Sequence, residues 1–394
     1  MFSKTADFCK KGDIKAFASG KSGKTSIADK FRTKVMATAI FLSGIAAPAL
    51  NSAFAQQRQK IQVRPRVENA TCKTASGETL TYRIYNPFND SIHAACIKKT
   101  VDAAVATLTG EAVLKPFMQK KGMIAMREDM GNTAGMYHIN SNSIYLNADF
   151  INYVENGMAY LKSSLVHEAA HAKQNYAGVA LDRSMNAATM FRVGRALEAD
   201  ANTHQLFAAK EMAANGDSLV WKVMENEKPT MVKAMLEAQR NGADRAQTAK
   251  AAMLAYYEDD RYISIYDKSY LELAQGAGYV DADTAKKRSQ TNLTPAQIAA
   301  KACVMGKTPY LGNEGGVLLS DSLRSAVSEE VYEQLAQTSL QHEEALKKCG
   351  VTGVKADVSY KTLYVRRKDG TYLAPQKAVQ TAVNAAVRNK AAVR

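Results

Sequence analysis

Cysteine is scarce in this chain and never spaced for a metal. The five cysteines, Cys9, Cys72, Cys96, Cys303 and Cys349, form no C-x-x-C pair, which argues against thiolate zinc sites and thioredoxin-like redox motifs. Basic runs interleaved with aromatics are missing too, so no nucleic-acid partner is expected despite a net charge of +14. No internal repeat occurs. The apolar run Val35–Leu50 is short for a bilayer span and is broken by Gly44 and Pro48. Histidine is rare, with six in 394 residues. That rarity gives weight to any two that stand at a functional spacing.

What is present is the composition of a folded protein, 46% hydrophobic and 23% charged, in a chain long enough for two or three domains. Residues 1–55 hold nine Lys/Arg against three Asp/Glu, which leaves a mild +8 for the rest. Lys30, Arg32 and Lys34 precede the apolar run, and Ala53-Phe54-Ala55 follows it as an A-x-A cleavage site. The pattern predicts a signal peptide over 1–55, a mature chain from Gln56, and no membrane anchor after cleavage. Export to a bacterial periplasm or to the medium follows. In an exported chain the remaining cysteines fall into two distant local pairs, so Cys72–Cys96 and Cys303–Cys349 are expected as disulfides.

Periodicity and turn signals predict an α+β, mostly helical fold. Residues 56–98 read as a small disulfide-tied region with a strand over Thr79–Tyr85. Residues 99–275 read as the main domain. In it a helix covers Thr100–Leu108, a strand Met123–Met126, and a short hairpin Met136–Leu146 turns at Asn140–Ser143. A helix over Phe150–Tyr176 follows, with a break near Asn156-Gly157 and a stop at Gly178. A long helix over Met185–Ala213 comes next, then helices near Leu219–Asn226, Thr230–Asn241 and Ala246–Tyr257. Residues 276–394 read as a mainly helical C-terminal region. There Thr294-Pro295 and Ser328 open helices and Asp369-Gly370 turns a hairpin.

One stretch, Val166-His167-Glu168-Ala169-Ala170-His171-Ala172, carries the chemistry. It is an H-E-x-x-H pattern. On a helix, i and i+4 share a face, so His167 and His171 can offer two imidazole nitrogens to one ion. Glu168 sits beside them, able to reach a water on that ion without being a ligand. Neutral imidazoles suit Zn²⁺, and a carboxylate so placed is the general base of a zinc peptidase. Leu165, Ala169, Ala170 and Ala172 are uncharged, as a helix carrying a metal into a core requires. Lys173 is expected to bring the helix back to the surface. Two histidines leave the usual three-ligand site incomplete, and Glu198, Asp200, His204 and His138 are the candidates to complete it. His204, His342 and the tyrosines from Tyr256 to Tyr270 are candidates to stabilise an oxyanion.

The order of hairpin, H-E-x-x-H helix and second helix with a glutamate, over about Ala134–Ala209, resembles the gluzincin clan of zinc metallopeptidases. That clan includes thermolysin and bacterial metallopeptidase families. The resemblance implies a zincin-like catalytic core that hydrolyses peptide or protein substrates. Zinc would be held by His167, His171 and Glu198, a water would take the fourth position, and Glu168 would be the catalytic base. Asn202, where thermolysin-like members carry an aspartate, would hydrogen-bond a ligating histidine, with Asp200 turned to the other side of its helix. The alternative is a zinc-containing or metal-free periplasmic binding or scaffold protein. For the leader, mass spectrometry of the exported protein is expected to find the N-terminus near Gln56. An intact Met1 would refute the cleavage site.

Overall fold

The computed structural model describes residues 67–182, 185–277, 293–348 and 356–379. The expected signal peptide, Cys9, Cys349 and the end of the tail lie outside them. The described part is mostly helical with three small sheets. None of its helices is long and apolar enough to cross a membrane.

The largest sheet has five strands in the order β1-β2-β3-β5-β4. These are β1 (Val67–Lys73), β2 (Thr79–Tyr85), β3 (Met123–Arg127), β4 (Gly135–His138) and β5 (Ser143–Asn147). In β2 the inward side chains alternate, with Leu80, Tyr82 and Ile84 buried and their neighbours exposed, the period of a strand with one covered face. β1 and β2 are antiparallel, while β3 runs parallel to both β2 and β5. The hairpin of β4 and β5 pairs Tyr137 with Ile144 and leaves β4 at the sheet's edge.

The parallel step from β2 to β3 needs a crossover, and two helices supply it. They are α1 (Ser91–Val105) and α2 (Leu108–Gln119). The single helix expected over Thr100–Leu108 is thus two. Ala106 ends one and Thr107 caps the other, its hydroxyl accepting from Gly110 N at 3.0 Å. The segment read as a separate N-terminal region supplies the first two strands of the main sheet, and α1 runs across residue 98.

The cysteines differ from expectation. Cys72, Cys96 and Cys303 are free thiols. Cys72 lies buried on β1 with its Sγ turned to the Leu80 carbonyl at 3.8 Å, and Cys96 is half-buried on α1. Cys303 is fully buried. Spacing brought these residues into plausible loops, but Cys72 and Cys303 are used as small apolar groups in a packed interior.

After β5 comes α3 (Asp149–Tyr153), then the break expected near Asn156-Gly157. Asn156 is left-handed at φ 61°, and a Cβ on Gly157 would lie 1.6 Å from the Phe150 carbonyl oxygen. From this turn α4 (Gly157–Tyr176) runs under the sheet, packed on α1, α2, β4 and β5, and stops before Gly178 at φ 75°. Next is α5 (Ala187–Ala214), packed along α4. Asn186 caps it, and Asp357 and Ser359 accept from its first two amides at 2.6 and 3.1 Å.

Helices α6 (Ser218–Glu227), α7 (Pro229–Arg240), α8 (Arg245–Tyr256) and α9 (Asp260–Ala277) follow. Thr294 and Gln297 form a capping box for α10 (Pro295–Lys301). A two-stranded ribbon, β6 (Val304–Met305) and β7 (Thr308–Pro309), and α11 (Gly315–Ser320) come next. The third sheet joins β8 (Val327–Ser328), β9 (Val365–Arg366) and β10 (Tyr372–Leu373), with α12 (Glu329–Lys348) inserted after β8. Replacing Gly157 with alanine forces a methyl group into a backbone carbonyl. The variant is expected to lose about 3 kcal/mol in urea unfolding, and unchanged stability would contradict the described turn.

Candidate metal centre

Helix α4 holds His167, Glu168 and His171 on residues that are all at most 5% exposed. Apolar and small neighbours, Leu165, Val166, Ala169, Ala170 and Ala172, let the helix sit fully inside. The facing helix α5 is lined with small residues as well, Ala196, Ala199 and Ala201, and brings Glu198 up to the two histidines. His167 Nε2 and His171 Nε2 are 3.1 Å apart. Glu198 Oε2 lies 3.3 Å from the first and Oε1 3.4 Å from the second. These three side chains can each place a donor atom within 4.8 Å of the other two, the arrangement one cation could share. Glu198 Oε2 and His167 Nδ1 are buried with no hydrogen-bond partner. Of the candidates for a third donor, the structure brings Glu198 to the histidines.

Burial sets the titration of this group, and charge pairing decides which way each member goes. His167 is pushed down to about 4, first by burial, and Glu168 is raised to about 7, again first by burial. For His171 burial alone would lower the value, but the facing Glu198 carboxylate outweighs it and raises it to about 9. Burial would raise Glu198, yet the His171 charge and both histidine contacts hold it at about 2. Glu168 stands apart from the three-donor set. Its Oε2 accepts from the backbone N–H of Tyr137 on β4 at 2.7 Å.

The neighbours expected from sequence fall differently. Asn202 is buried on the same face of α5, but its amide donates to the Glu198 carbonyl at 2.7 Å and not to a histidine, and its Oδ1 accepts from Lys228. That lysine is buried over the Tyr262 ring at 4.7 Å, and burial lowers it to about 8. Asp200 is not one of the three converging donors; its Oδ2 accepts from Gln174 at 2.7 Å, and Gln174 touches His171. Lys173 does not surface freely; it donates to the Val304 carbonyl on β6. His138 bonds Ser141 at 2.9 Å in the β4–β5 hairpin. His204 lies between the carbonyls of Asp200 and Val304 at 3.0 and 3.1 Å, and His342 lines a small cavity with Asp357 and Tyr360.

Helix α9 covers the Glu198 side of the centre in a clear antiparallel register along α5. The Tyr266 hydroxyl is buried beside Glu198, and burial first and then the Glu198 charge raise its pKa. One turn on, the Tyr270 ring occupies the space over Gly194, where a Cβ would come within 2.5 Å of it. Between them Arg195, 1% exposed, grips Asp267 with three contacts of 2.6–3.0 Å. Of the expected oxyanion candidates, Tyr256, Tyr266 and Tyr270 all lie close enough to Glu198 for its charge to raise their pKa values. Gln174 was missed, although its i+3 spacing from His171 puts it on the same face. Lys228 and Tyr310 had no local signal.

A family model described as "Putative metallopeptidase family (DUF6782)" matches residues 79–311, more than half of the chain. No curated protein and no solved structure matches. The buried Arg195–Asp267 pair joins α5 to α9 three residues before Glu198. Arg195→Met is therefore expected to cost about 3–5 kcal/mol, by stranding the Asp267 charge. Arg195→Met combined with Asp267→Leu is expected to recover most of it in the same denaturation assay. A single variant as stable as the parent would contradict this role.

Proposed function

The chain belongs to this family, and on that premise we propose that it is an exported, zinc-dependent peptidase of the gluzincin type with a zincin-like core. The observation that carries the reading is the convergence of His167, His171 and Glu198, all at most 5% exposed, on one point. Their separations of 3.1, 3.3 and 3.4 Å fit a tetrahedral site. Bonds of about 2.0–2.1 Å to zinc put neighbouring ligands about 3.3 Å apart. The donor set of two imidazoles and a carboxylate is one zinc takes in hydrolases, and the unpartnered Glu198 Oε2 accords with it. When bound, the ion supplies Lewis-acid chemistry, bringing the pKa of a water to about 7 and polarising a carbonyl.

Glu168 is the base in this reading. A buried carboxyl so placed can accept a proton from the attacking water and return it to the departing amine nitrogen. Its bond to Tyr137 N also ties the base to the sheet edge. That N–H faces Glu168 and not β5, and β4 is an edge strand. An extended peptide is read as adding alongside β4, so that its backbone passes Glu168. Tyr266, next to Glu198, is the residue best placed to bond an oxyanion. Export rests on the leader pattern alone, since the described cysteines are thiols.

Glu168→Ala is expected to retain zinc at the parent stoichiometry and to lose hydrolysis of a broad peptide mixture by about 10²–10⁴-fold. Glu198→Ala is expected to lose most of its zinc. Cleavage by Glu168→Ala at the parent rate would remove the peptidase mechanism. A parent protein that holds zinc but cleaves nothing, with or without chelator, would favour a binding role.

A further inference from the structure

The two histidines of the centre are not held alike. His167 Nδ1 has no hydrogen-bond partner among the described residues, whereas His171 Nδ1 lies 2.8 Å from Gln174 Oε1. Gln174 is three residues on along α4 and 1% exposed. Which end of its amide faces the ring follows from what the other end touches. Gln174 Nε2 is 2.9 Å from the Leu197 carbonyl and 2.7 Å from Asp200 Oδ2, both on α5. A backbone carbonyl can only accept, so the NH₂ end belongs toward α5 and the oxygen toward His171. An oxygen there requires the hydrogen on Nδ1. That is the imidazole form whose Nε2 lone pair is free for an ion.

The amide is itself held from behind. Tyr310, 3% exposed, donates its hydroxyl to Asp200 Oδ1 at 2.7 Å. The ribbon just before Tyr310 is clamped to both helices, because the Val304 carbonyl meets Lys173 of α4 and His204 of α5. The family match runs to residue 311 and so takes in this ribbon and Tyr310.

We propose that Gln174 is a positioning residue that sets the tautomer and ring angle of His171, with Asp200 and Tyr310 holding Gln174 in place. The inference rests on the metal site proposed above. It gives Asp200 a role through the amide, not as a ligand, and gives the 303–310 segment a part in the centre.

Zinc affinity of the full chain, measured by competition with a chromophoric chelator, tests it. Gln174→Leu keeps the bulk but offers no acceptor, and is expected to bind zinc about 10–100-fold more weakly. Gln174→Glu keeps the acceptor toward Nδ1 but loses both Nε2 donations to α5, and is expected to lose less affinity than Gln174→Leu, since the acceptor is what orients the ring. Equal losses in both variants, or none in Gln174→Leu, would overturn the proposal. Should Gln174→Leu fail to fold, the parent decides. In the zinc-loaded protein, ring ¹⁵N shifts of His171 are expected to show Nδ1 protonated and Nε2 on the ion, and the reverse assignment sinks the idea. A parent that binds no zinc removes the metal site and this inference together. A parent that binds zinc tightly beside an unaffected Gln174→Leu removes this inference alone.

Discussion

A carboxylate buried against two imidazoles cannot be left to itself. Glu198 is 3% exposed, and taking such a charge out of water costs several kcal/mol unless the surroundings compensate. The neighbouring structure supplies that compensation. The alanines of α4 and α5 let the two helices approach, so that the histidines come within 3.4 Å of the carboxylate. The Tyr266 hydroxyl lies beside Glu198, and the Arg195–Asp267 pair joins α5 to α9. Asn202 and Lys228 complete the side of α5 one turn further on.

The sheet and the C-terminal elements have separate duties around this point. The sheet offers an edge strand, β4, whose backbone touches Glu168. The later elements steady α5 from both ends of its charged face. Asp357 and Ser359 hold its first amides, while the ribbon at Val304 and Tyr310 holds its middle. The residues with chemistry sit on two rigid helices. The residues that fix their angles come from far along the chain.

That division explains how much could be read from the letters. The H-E-x-x-H helix, its break at Asn156-Gly157, the β4–β5 hairpin and the N-cap at Thr294 all have local causes, and each is found where local rules put it. The fate of Glu198 was reachable through a resemblance in element order. The parallel pairing of β2 with β3 was not, because parallel pairing leaves no mark on the periodicity of either strand. The same holds for Tyr310, which reaches Asp200 across 110 positions. Asn202 shows a limit of another kind. Its face was right, but a buried lysine claimed its oxygen, and no spacing rule anticipates Lys228. Cys72 shows that loop length alone does not make a bond when the thiol has a packed place and a carbonyl to face.

The covering of the donor set by α5 and α9 has a kinetic side. With His171 at 1% and Glu198 at 3% exposure, both are sealed by packing, while His167 at 5% marks the more open side. Helices packed in this way open by partial unfolding, the same events by which buried amides trade hydrogen for deuterium. Loosening the Arg195–Asp267 clasp would be felt there as more frequent openings along α9.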